Sequence, residues 1–252
     1  MDLPRNAFKA ALARGERQIG LWSSLCSPIA AEIVGQSGFD WVLIDIEHAP
    51  NELPAILAQL HALKDGTATP IVRPAWNDPV QLKRLLDIGV QTVLVPFVQS
   101  AEEAARAVAA CRYPSAGRRG ITGSGRGSLY GRVPDYLTRA DGEICVLVQV
   151  ETGEALGRLE EIAAVDGVDG VFVGPADLSA SLGHLGDPGH PEVQSAIQAA
   201  AKRLRALGKA AGILTPSEAD ARRAIDWGYR FVAVGSDLGL LVKSADGLAK
   251  LF

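Results

Sequence analysis

Residues 41–48 read Trp-Val-Leu-Ile-Asp-Ile-Glu-His, a short apolar run that passes directly into charged side chains. A run of this length, containing β-branched residues, is typical of a strand buried on both faces of a parallel sheet. Similar runs recur along the chain. The sequence therefore predicts eight parallel strands: Ile19–Leu25, Trp41–Ile46, Pro70–Arg73, Thr92–Val98, Ile144–Val150, Gly170–Gly174, Ala210–Leu214 and Phe231–Gly235.

The segments between these strands carry apolar residues at spacings of three and four, which predicts amphipathic helices. They are Glu52–Lys64, Pro79–Asp87, Ala101–Cys111, Glu154–Ala164, Glu192–Leu207 and Ser217–Trp227. Eight alternating units in 252 residues, with no flexible linker, predict one α/β domain over residues 1–252, a single (β/α)8 TIM barrel. An open doubly wound sheet is the alternative, but it normally carries Gly-x-Gly-x-x-Gly after its first strand, and Ser23–Pro28 contains no glycine.

Composition excludes several classes of partner. The formal net charge is −4 and basic residues form no long run, which argues against nucleic acid. No apolar stretch approaches the ~20 residues that span a bilayer, and the first residues lack the apolar core of a signal peptide, so we expect no membrane partner and a cytoplasmic location. The three cysteines, Cys26, Cys111 and Cys145, are predicted to be buried thiols.

Polar side chains stand at the ends of several predicted strands, where a barrel of this kind places its active site. Glu151 and Asp177 follow neighbouring strands, and Gln149 points inward by alternation. Two carboxylates with open positions can hold Mg²⁺ or Mn²⁺ and leave room for substrate oxygens. The alternative is that each acid only caps the helix that follows it.

Two further strand ends carry groups suited to acid–base and oxyanion chemistry. His48 can move a proton near neutral pH, although a loop histidine can equally be structural or exposed. Arg73 can stabilise a developing oxyanion, or it can form a buried ion pair with Asp45 or Asp87. No lysine ends a predicted strand, so a Schiff base is not expected. The two acids, the histidine and the arginine together favour a reaction at the carbon next to a carbonyl group, with an enolate as the intermediate.

Longer motifs extend this pattern across nearly the whole chain. They are Gly38-Phe39-Asp40-Trp41, Asp45-Ile46-Glu47-His48-Ala49-Pro50-Asn51, Val72-Arg73-Pro74-Ala75-Trp76-Asn77-Asp78-Pro79, Leu94-Val95-Pro96, Gln149-Val150-Glu151-Thr152 and Val173-Gly174-Pro175-Ala176-Asp177-Leu178-Ser179. Together they resemble the HpcH/HpaI class II pyruvate aldolases, of the phosphoenolpyruvate/pyruvate superfamily of barrels.

The resemblance implies a role for each matching residue. Glu151 and Asp177 would bind a divalent ion (Mg²⁺, Mn²⁺ or Co²⁺). His48 would be the base and Arg73 would stabilise the enolate. Asp87, from the same subunit or a neighbouring one, would raise the basicity of His48. Substrate contacts would come from Asp45, Gln149, Gly174, Ala176, Asp177 and Leu214, the last of these touching the aldehyde.

The implied reaction is cleavage of 4-hydroxy-2-oxo acids, such as 4-hydroxy-2-oxoheptane-1,7-dioate of aromatic catabolism, to pyruvate and an aldehyde, and the reverse addition. A sugar-acid aldolase of the 2-keto-3-deoxy-galactarate type, a coenzyme A thioester lyase and a non-catalytic barrel are the alternatives. The resemblance also implies a hexamer, built as a trimer of dimers, in which the last helix (Leu238–Leu251) is exchanged between subunits. The glycine-rich segment 120–128 departs from the family, and we expect it to affect the admission of the aldehyde.

Overall fold

The structure is a computed structural model that describes residues 1–252. Eight parallel strands close in chain order into a barrel, which confirms the predicted (β/α)8 fold. The first strand pairs with both the second and the last, and this pairing closes the barrel. The strands are β1 (Gln18–Ser23), β2 (Trp41–Asp45), β3 (Thr69–Arg73), β4 (Thr92–Val95), β5 (Cys145–Val150), β6 (Gly170–Val173), β7 (Ala210–Leu214) and β8 (Phe231–Ser236).

Helices cover the outside of the barrel, and several begin where the sequence carries a capping side chain. Ser27, Asp78, Ser100 and Ser217 each accept a hydrogen bond from a backbone N–H in the first turn of the helix that follows. The helices are α1 (Ala7–Ala13), α2 (Pro28–Gly35), α3 (Leu53–Ala62), α4 (Pro79–Asp87), α5 (Ala101–Cys111), α6 (Tyr136–Glu143), α7 (Gly153–Gly157), α8 (Leu159–Ala163), α9 (Pro175–Ser181), α10 (Pro191–Ala206), α11 (Glu218–Trp227) and α12 (Asp237–Ala249).

The elements differ from the sequence predictions in a few places. β4 ends at Val95, three residues before the predicted end, because Pro96 has no N–H for the ladder and Phe97 has a left-handed φ of 52°. The long predicted loop Arg112–Gly142 contains most of α6 and a 3₁₀ turn at Arg126–Ser128.

Cys111 and Cys145 are buried as predicted, but Cys26 is only partly buried. No helix is long and apolar enough to cross a bilayer.

The barrel interior is filled by aromatic side chains. Trp22, Trp41, Phe172 and Phe231 pack against one another inside the strands, and Phe8 of α1 closes the end from which the strands start. Glycines make room for these rings, since a Cβ at Gly20 would overlap the Trp41 indole and one at Gly212 would overlap the Phe231 ring. The interior is thus a packed core that supports the opposite end, where the strands finish.

We expect Gly212→Ala to lower the free energy of unfolding by about 1–3 kcal/mol, because the added methyl group must displace a ring in a filled core. Urea unfolding monitored by circular dichroism measures the effect. Gly142→Ala is the control, because that glycine lies in α6 with no atom within 4 Å of the added Cβ. Equal stability of the two variants would contradict the account of the barrel interior.

Candidate functional site

A buried arginine lies between two carboxylates at the carboxyl end of the barrel. Asp45 and Arg73 are paired in register as the last residues of β2 and β3. Arg73 Nε and Nη2 donate to the two Asp45 carboxylate oxygens at 2.8 and 2.7 Å, and Arg73 Nη1 lies 2.8 Å from Glu47 Oε2. The Arg73 side chain is 8% exposed, so both charges are held with little access to water. Of the two ion pairs that the sequence left open for Arg73, the structure contains the one with Asp45.

Trp22 of β1 supports this ion pair from inside the barrel. Its ring lies 5.2 Å from the Arg73 guanidinium carbon, and its Nε1 donates to Asp45 Oδ2 at 3.4 Å. A guanidinium has five N–H groups, and two of them donate to Asp45, whereas Nη1 lies 2.8 Å from Glu47 Oε2 without donating a hydrogen bond to it. Arg73 therefore keeps unused N–H groups for a substrate oxygen, and its ion pair with Asp45 holds the guanidinium in place.

Glu151 is buried beside this pair at the end of β5. It is 1% exposed, accepts from the Phe97 backbone N–H at 2.9 Å, and also accepts from the Gln149 side-chain amide. Burial raises the pKa of Glu151 to about 7, and the charges of Asp177 and Glu47 add to the effect, whereas the hydrogen bond from Gln149 opposes it. A carboxylate with this environment favours either a proton or a cation.

Asp177 completes the group of acids from the first turn of α9, which follows β6. Its charge contributes to the raised pKa of both Glu151 and Glu47, so the three carboxylates act on one small region of the barrel mouth. Gly174, the residue before α9, lets the backbone lie close to the Glu151 side chain, because a Cβ at this position would stand 2.6 Å from Glu151 Oε2.

These residues fit a hard divalent ion. Glu151 and Asp177 supply carboxylate oxygens, and such ions prefer oxygen ligands with open positions left for water or substrate. Gln149 Oε1 is buried and has no hydrogen-bond partner, so it is ready to accept from a molecule that enters the site. The environment of Glu151 also favours a bound cation. Its hydrogen-bond donors are neutral, so a cation would compensate the buried negative charge.

The raised pKa of Glu151 predicts a pH dependence for the metal-free protein. In the folded state the Glu151 carboxyl group stays protonated up to about pH 7, whereas in the unfolded chain it loses its proton near its ordinary pKa of 4.5. Folded protein thus binds more protons between these two values, and its stability falls as pH rises through that window. We expect Glu151→Gln to remove a dependence on the order of 3 kcal/mol. Chemical denaturation at several pH values measures the difference, and parallel curves for the two proteins would contradict it.

The structure brings His48 to the same mouth but not Asp87. His48 follows β2 with its side chain 66% exposed, and its Nε2 lies 3.8 Å from Glu47 Oε2. Asp87 ends α4, and because barrel helices run back against their strands, it lies at the opposite end, roughly 15 Å away along the barrel. There it accepts a hydrogen bond from Arg119 at 3.0 Å. Asp87 can therefore act on His48 only from another subunit, and its role stays a prediction.

The glycine-rich segment 120–128 also lies at that opposite end. It lies between α5 and α6, on the way from α5 to β5, and Gly125 and Gly127 pack against backbone oxygens at the end of α4. In its own barrel the segment lies away from the mouth, because the connection between a helix and the next strand lies at the far end. The expectation that it affects admission of the aldehyde stays a prediction, and it requires the segment to reach the mouth of a neighbouring subunit.

The remaining predicted residues lie at strand ends around the mouth. Leu214 ends β7 and is partly exposed, while Ala176 stands in the first turn of α9, where backbone N–H groups have no partner within the helix. Sequence reasoning assigned no role to Glu47, Trp22 or the Phe97 N–H. Glu47 stood in the quoted motif, but its contact with Arg73 depends on how β2 and β3 align.

The fold and the site define a (β/α)8 barrel with acidic side chains at its mouth. The chain belongs to the HpcH/HpaI aldolase/citrate lyase family, whose sequence profile matches residues 18–244. It is 57% identical to a pyruvate aldolase from Rhizobium etli over 252 residues, covering 100% of this chain and 99% of that protein. It is 56% identical to a 4-hydroxy-2-oxo-heptane-1,7-dioate aldolase from Klebsiella pneumoniae subsp. pneumoniae, covering 98% of this chain and 94% of the relative.

A solved structure shows the same architecture. The HpcH/HpaI aldolase/citrate lyase family protein from Burkholderia cenocepacia J2315 superposes with a TM-score of 0.94 at 39% identity, covering 97% of this chain and 98% of that one. The predicted family is therefore confirmed along with the predicted barrel.

Proposed function

We propose that this protein cleaves 4-hydroxy-2-oxo acids, such as 4-hydroxy-2-oxoheptane-1,7-dioate, to pyruvate and an aldehyde, and that it catalyses the reverse addition. The observation that carries the proposal is the placement of the buried Arg73 beside the acids Glu151 and Asp177 at one barrel mouth. The names of the relatives from R. etli and K. pneumoniae support the same substrate class.

Glu151 and Asp177 would hold a divalent ion, Mg²⁺, Mn²⁺ or Co²⁺. When bound, such an ion would polarise the 2-oxo group, which then accepts the electron pair that cleavage of the C3–C4 bond leaves at C3. The backbone N–H groups of Ala176 and Asp177, together with Gln149, would bind the carboxylate and keto oxygens of the substrate, because helix N-termini favour anions.

Arg73 would bind the oxygen on which negative charge develops. Its unused N–H groups supply charge-assisted hydrogen bonds, and its pairing with Asp45 and Glu47 fixes the guanidinium before the substrate arrives. Positioned donors of this kind need no reorganisation during the reaction, which is the source of their large effect.

His48 would move the proton. In the cleavage direction it takes the proton of the 4-hydroxyl group, the C3–C4 bond breaks, the aldehyde forms, and the electron pair remains as the pyruvate enolate, which is then protonated at C3. The exposed imidazole stands at the mouth and next to Glu47, whose carboxylate can stabilise the imidazolium.

We expect His48→Ala to slow exchange of the pyruvate methyl protons with deuterated water by about 10²–10⁴-fold, since the variant lacks the proton acceptor. Proton NMR of pyruvate measures the exchange. His61→Ala is the control, because His61 is an exposed residue of α3 outside the mouth. Exchange at the wild-type rate in His48→Ala would assign the base to another group.

The subunit arrangement belongs to the same proposal. The final helix α12 exposes a row of apolar side chains, which supports its exchange between subunits of a hexamer: Leu238, Leu240, Leu241, Val242 and Leu248. Such an assembly would also give Asp87 a route to the mouth of a neighbouring barrel.

The direct test is release of pyruvate from 4-hydroxy-2-oxo acids, coupled to lactate dehydrogenase, with Mg²⁺ or Mn²⁺ and then with excess chelator. We expect release that the chelator abolishes and that borohydride leaves intact. Release that survives the chelator would overturn the role of the metal, and absence of release with every substrate and ion would overturn the aldolase proposal.

A further inference from the structure

The loop between α9 and α10 carries two of the four histidines of the chain, His184 and His190, next to Glu192 in the first turn of α10. These residues are separate from the acids of the barrel mouth. We propose that His184, His190 and Glu192 form a second metal site, selective for an ion that prefers imidazole, such as Zn²⁺.

Three ligand groups already lie together. His184 Nε2 is 2.8 Å from Glu192 Oε2, and one ligand atom from each of the three residues lies within 4.8 Å of the others. The two imidazole rings are stacked, with centroids 3.5 Å apart and planes inclined by 16°. Two imidazoles and one carboxylate are therefore within reach of a single ion.

Insertion of an ion requires a small shift of His184 and Glu192 and a rotation of the His190 ring, which would give up the hydrogen bond that His190 Nδ1 accepts from the Glu192 N–H. A tetrahedral ion with bonds of about 2.1 Å holds its ligand atoms about 3.4 Å apart. The His184–Glu192 pair would therefore open by a few tenths of an ångström, with the ion replacing the proton that the two groups share. The ring of His190 must turn out of the stack so that its lone pair points to the ion, and its partly exposed position leaves room for this rotation.

The backbone holds the loop in one shape before any ion binds. Gly183 and Gly186 adopt left-handed φ angles of 87° and 80°. The Asp187 N–H donates to the His184 carbonyl at 3.0 Å, and the His190 N–H donates to the Asp187 carbonyl at 3.1 Å. These turns set both histidines on the same side of the loop, which lowers the entropy cost of assembling the ligands.

The donor set separates this site from the barrel mouth. Two imidazoles and one carboxylate suit Zn²⁺, Co²⁺, Ni²⁺ or Cu²⁺, whereas the all-oxygen set of Glu151 and Asp177 suits Mg²⁺. An excess of Mg²⁺ would therefore occupy the mouth and leave the loop free. Three protein ligands leave a fourth position for water, and all three ligands lie partly or largely in solvent, so an entry path exists.

Metal binding would tie the end of α9 to the start of α10. α9 carries Asp177, and the same loop contributes Pro188 and Gly189 to a cavity of about 180 Å³ that Leu214 and Thr215 also line. The second ion would thus stiffen a segment next to the residue expected to touch the aldehyde.

The test is a calorimetric titration of the full-length protein with Zn²⁺ in saturating Mg²⁺. We expect one Zn²⁺ per chain, and His184→Gln and His190→Gln should each weaken binding by about tenfold or more because each removes a ligand. His61→Gln, a histidine outside the loop, should match the wild type. Glu151→Gln should retain the Zn²⁺ site, which separates it from the mouth.

A melting curve gives a second readout. Zn²⁺ should raise the Tm of the wild type and of His61→Gln but not of His184→Gln, because only the folded loop assembles the ligands. No Zn²⁺ binding in saturating Mg²⁺, or equal affinity and stoichiometry in both loop variants and the wild type, would overturn the proposal. Mg²⁺-dependent pyruvate release is scored separately, so failure of the aldolase proposal leaves this result interpretable.

Discussion

Arg73→Lys is expected to lower kcat/KM for pyruvate release by about 10²–10³-fold, the range found when a preorganised oxyanion donor is removed. Lysine keeps the positive charge but has one nitrogen, so it cannot bind both oxygens of Asp45, contact Glu47 and still present N–H groups to the substrate. The coupled lactate dehydrogenase assay measures the effect.

Lysine is preferred to alanine at this position. Arg73→Ala would leave Asp45 and Glu47 without their cation, and breaking a buried pair in this way costs about 3–5 kcal/mol of stability. Arg203→Lys is the matched control, because Arg203 also holds a carboxylate with two nitrogens but lies on the outer surface, against Glu160. Wild-type activity in a folded Arg73→Lys protein would remove Arg73 from the reaction.

The second large effect is expected from Glu151→Gln and Asp177→Asn. Each change keeps the shape of the side chain and removes one charged metal ligand, so turnover with Mg²⁺ or Mn²⁺ should fall by about 10³-fold or more, equivalent to several kcal/mol of transition-state stabilisation. Calorimetry should show weaker binding of Mn²⁺ in both variants. Glu154→Gln, an exposed acid in the first turn of α7, should leave activity and binding unchanged.

Stability separates loss of the metal from loss of the fold. Burial already raises the pKa of Glu151, so Glu151→Gln removes an unfavourable buried charge and should leave the metal-free protein at least as stable near neutral pH. A destabilised Glu151→Gln protein, or undiminished turnover in either variant, would contradict the assignment of the metal ligands.

The sequence was sufficient to predict the barrel because each strand is a short apolar run between helical patterns, and all eight predicted strands are present. Strand ends were less predictable where a single residue changes the backbone, as at Pro96. Helix Glu154–Ala164 was predicted as one element, but it divides at Arg158 into α7 and α8. Short helices such as α6 and α9 have too few turns for a clear apolar period.

The site was predictable to the extent that it depends on which residues end a strand. His48, Arg73, Glu151 and Asp177 were found in this way, and all four lie at the barrel mouth. The contact of Glu47 with Arg73 could not be found, because it depends on side-chain directions after the barrel has closed.

For Asp87, the sequence predicts the position in the fold but not the residues that the side chain contacts in an assembly. The order of elements already placed the end of its helix at the far side of the barrel, but only the assembled protein can bring one barrel's far side to another's mouth. The predicted role of Asp87 therefore depends on the proposed assembly of subunits.

The residues proposed for bond cleavage come from one arc of the barrel, β2, β3, β5 and β6, whereas Leu214 stands on β7. If these proposed roles hold, the residues for bond cleavage and the residue that contacts the aldehyde come from different stretches of the chain. Libraries that randomise the segments after β7 and β8 would leave every proposed metal ligand and the Arg73 ion pairs unaltered, so new carbon–carbon bond-forming catalysts could be selected from this scaffold one acceptor at a time.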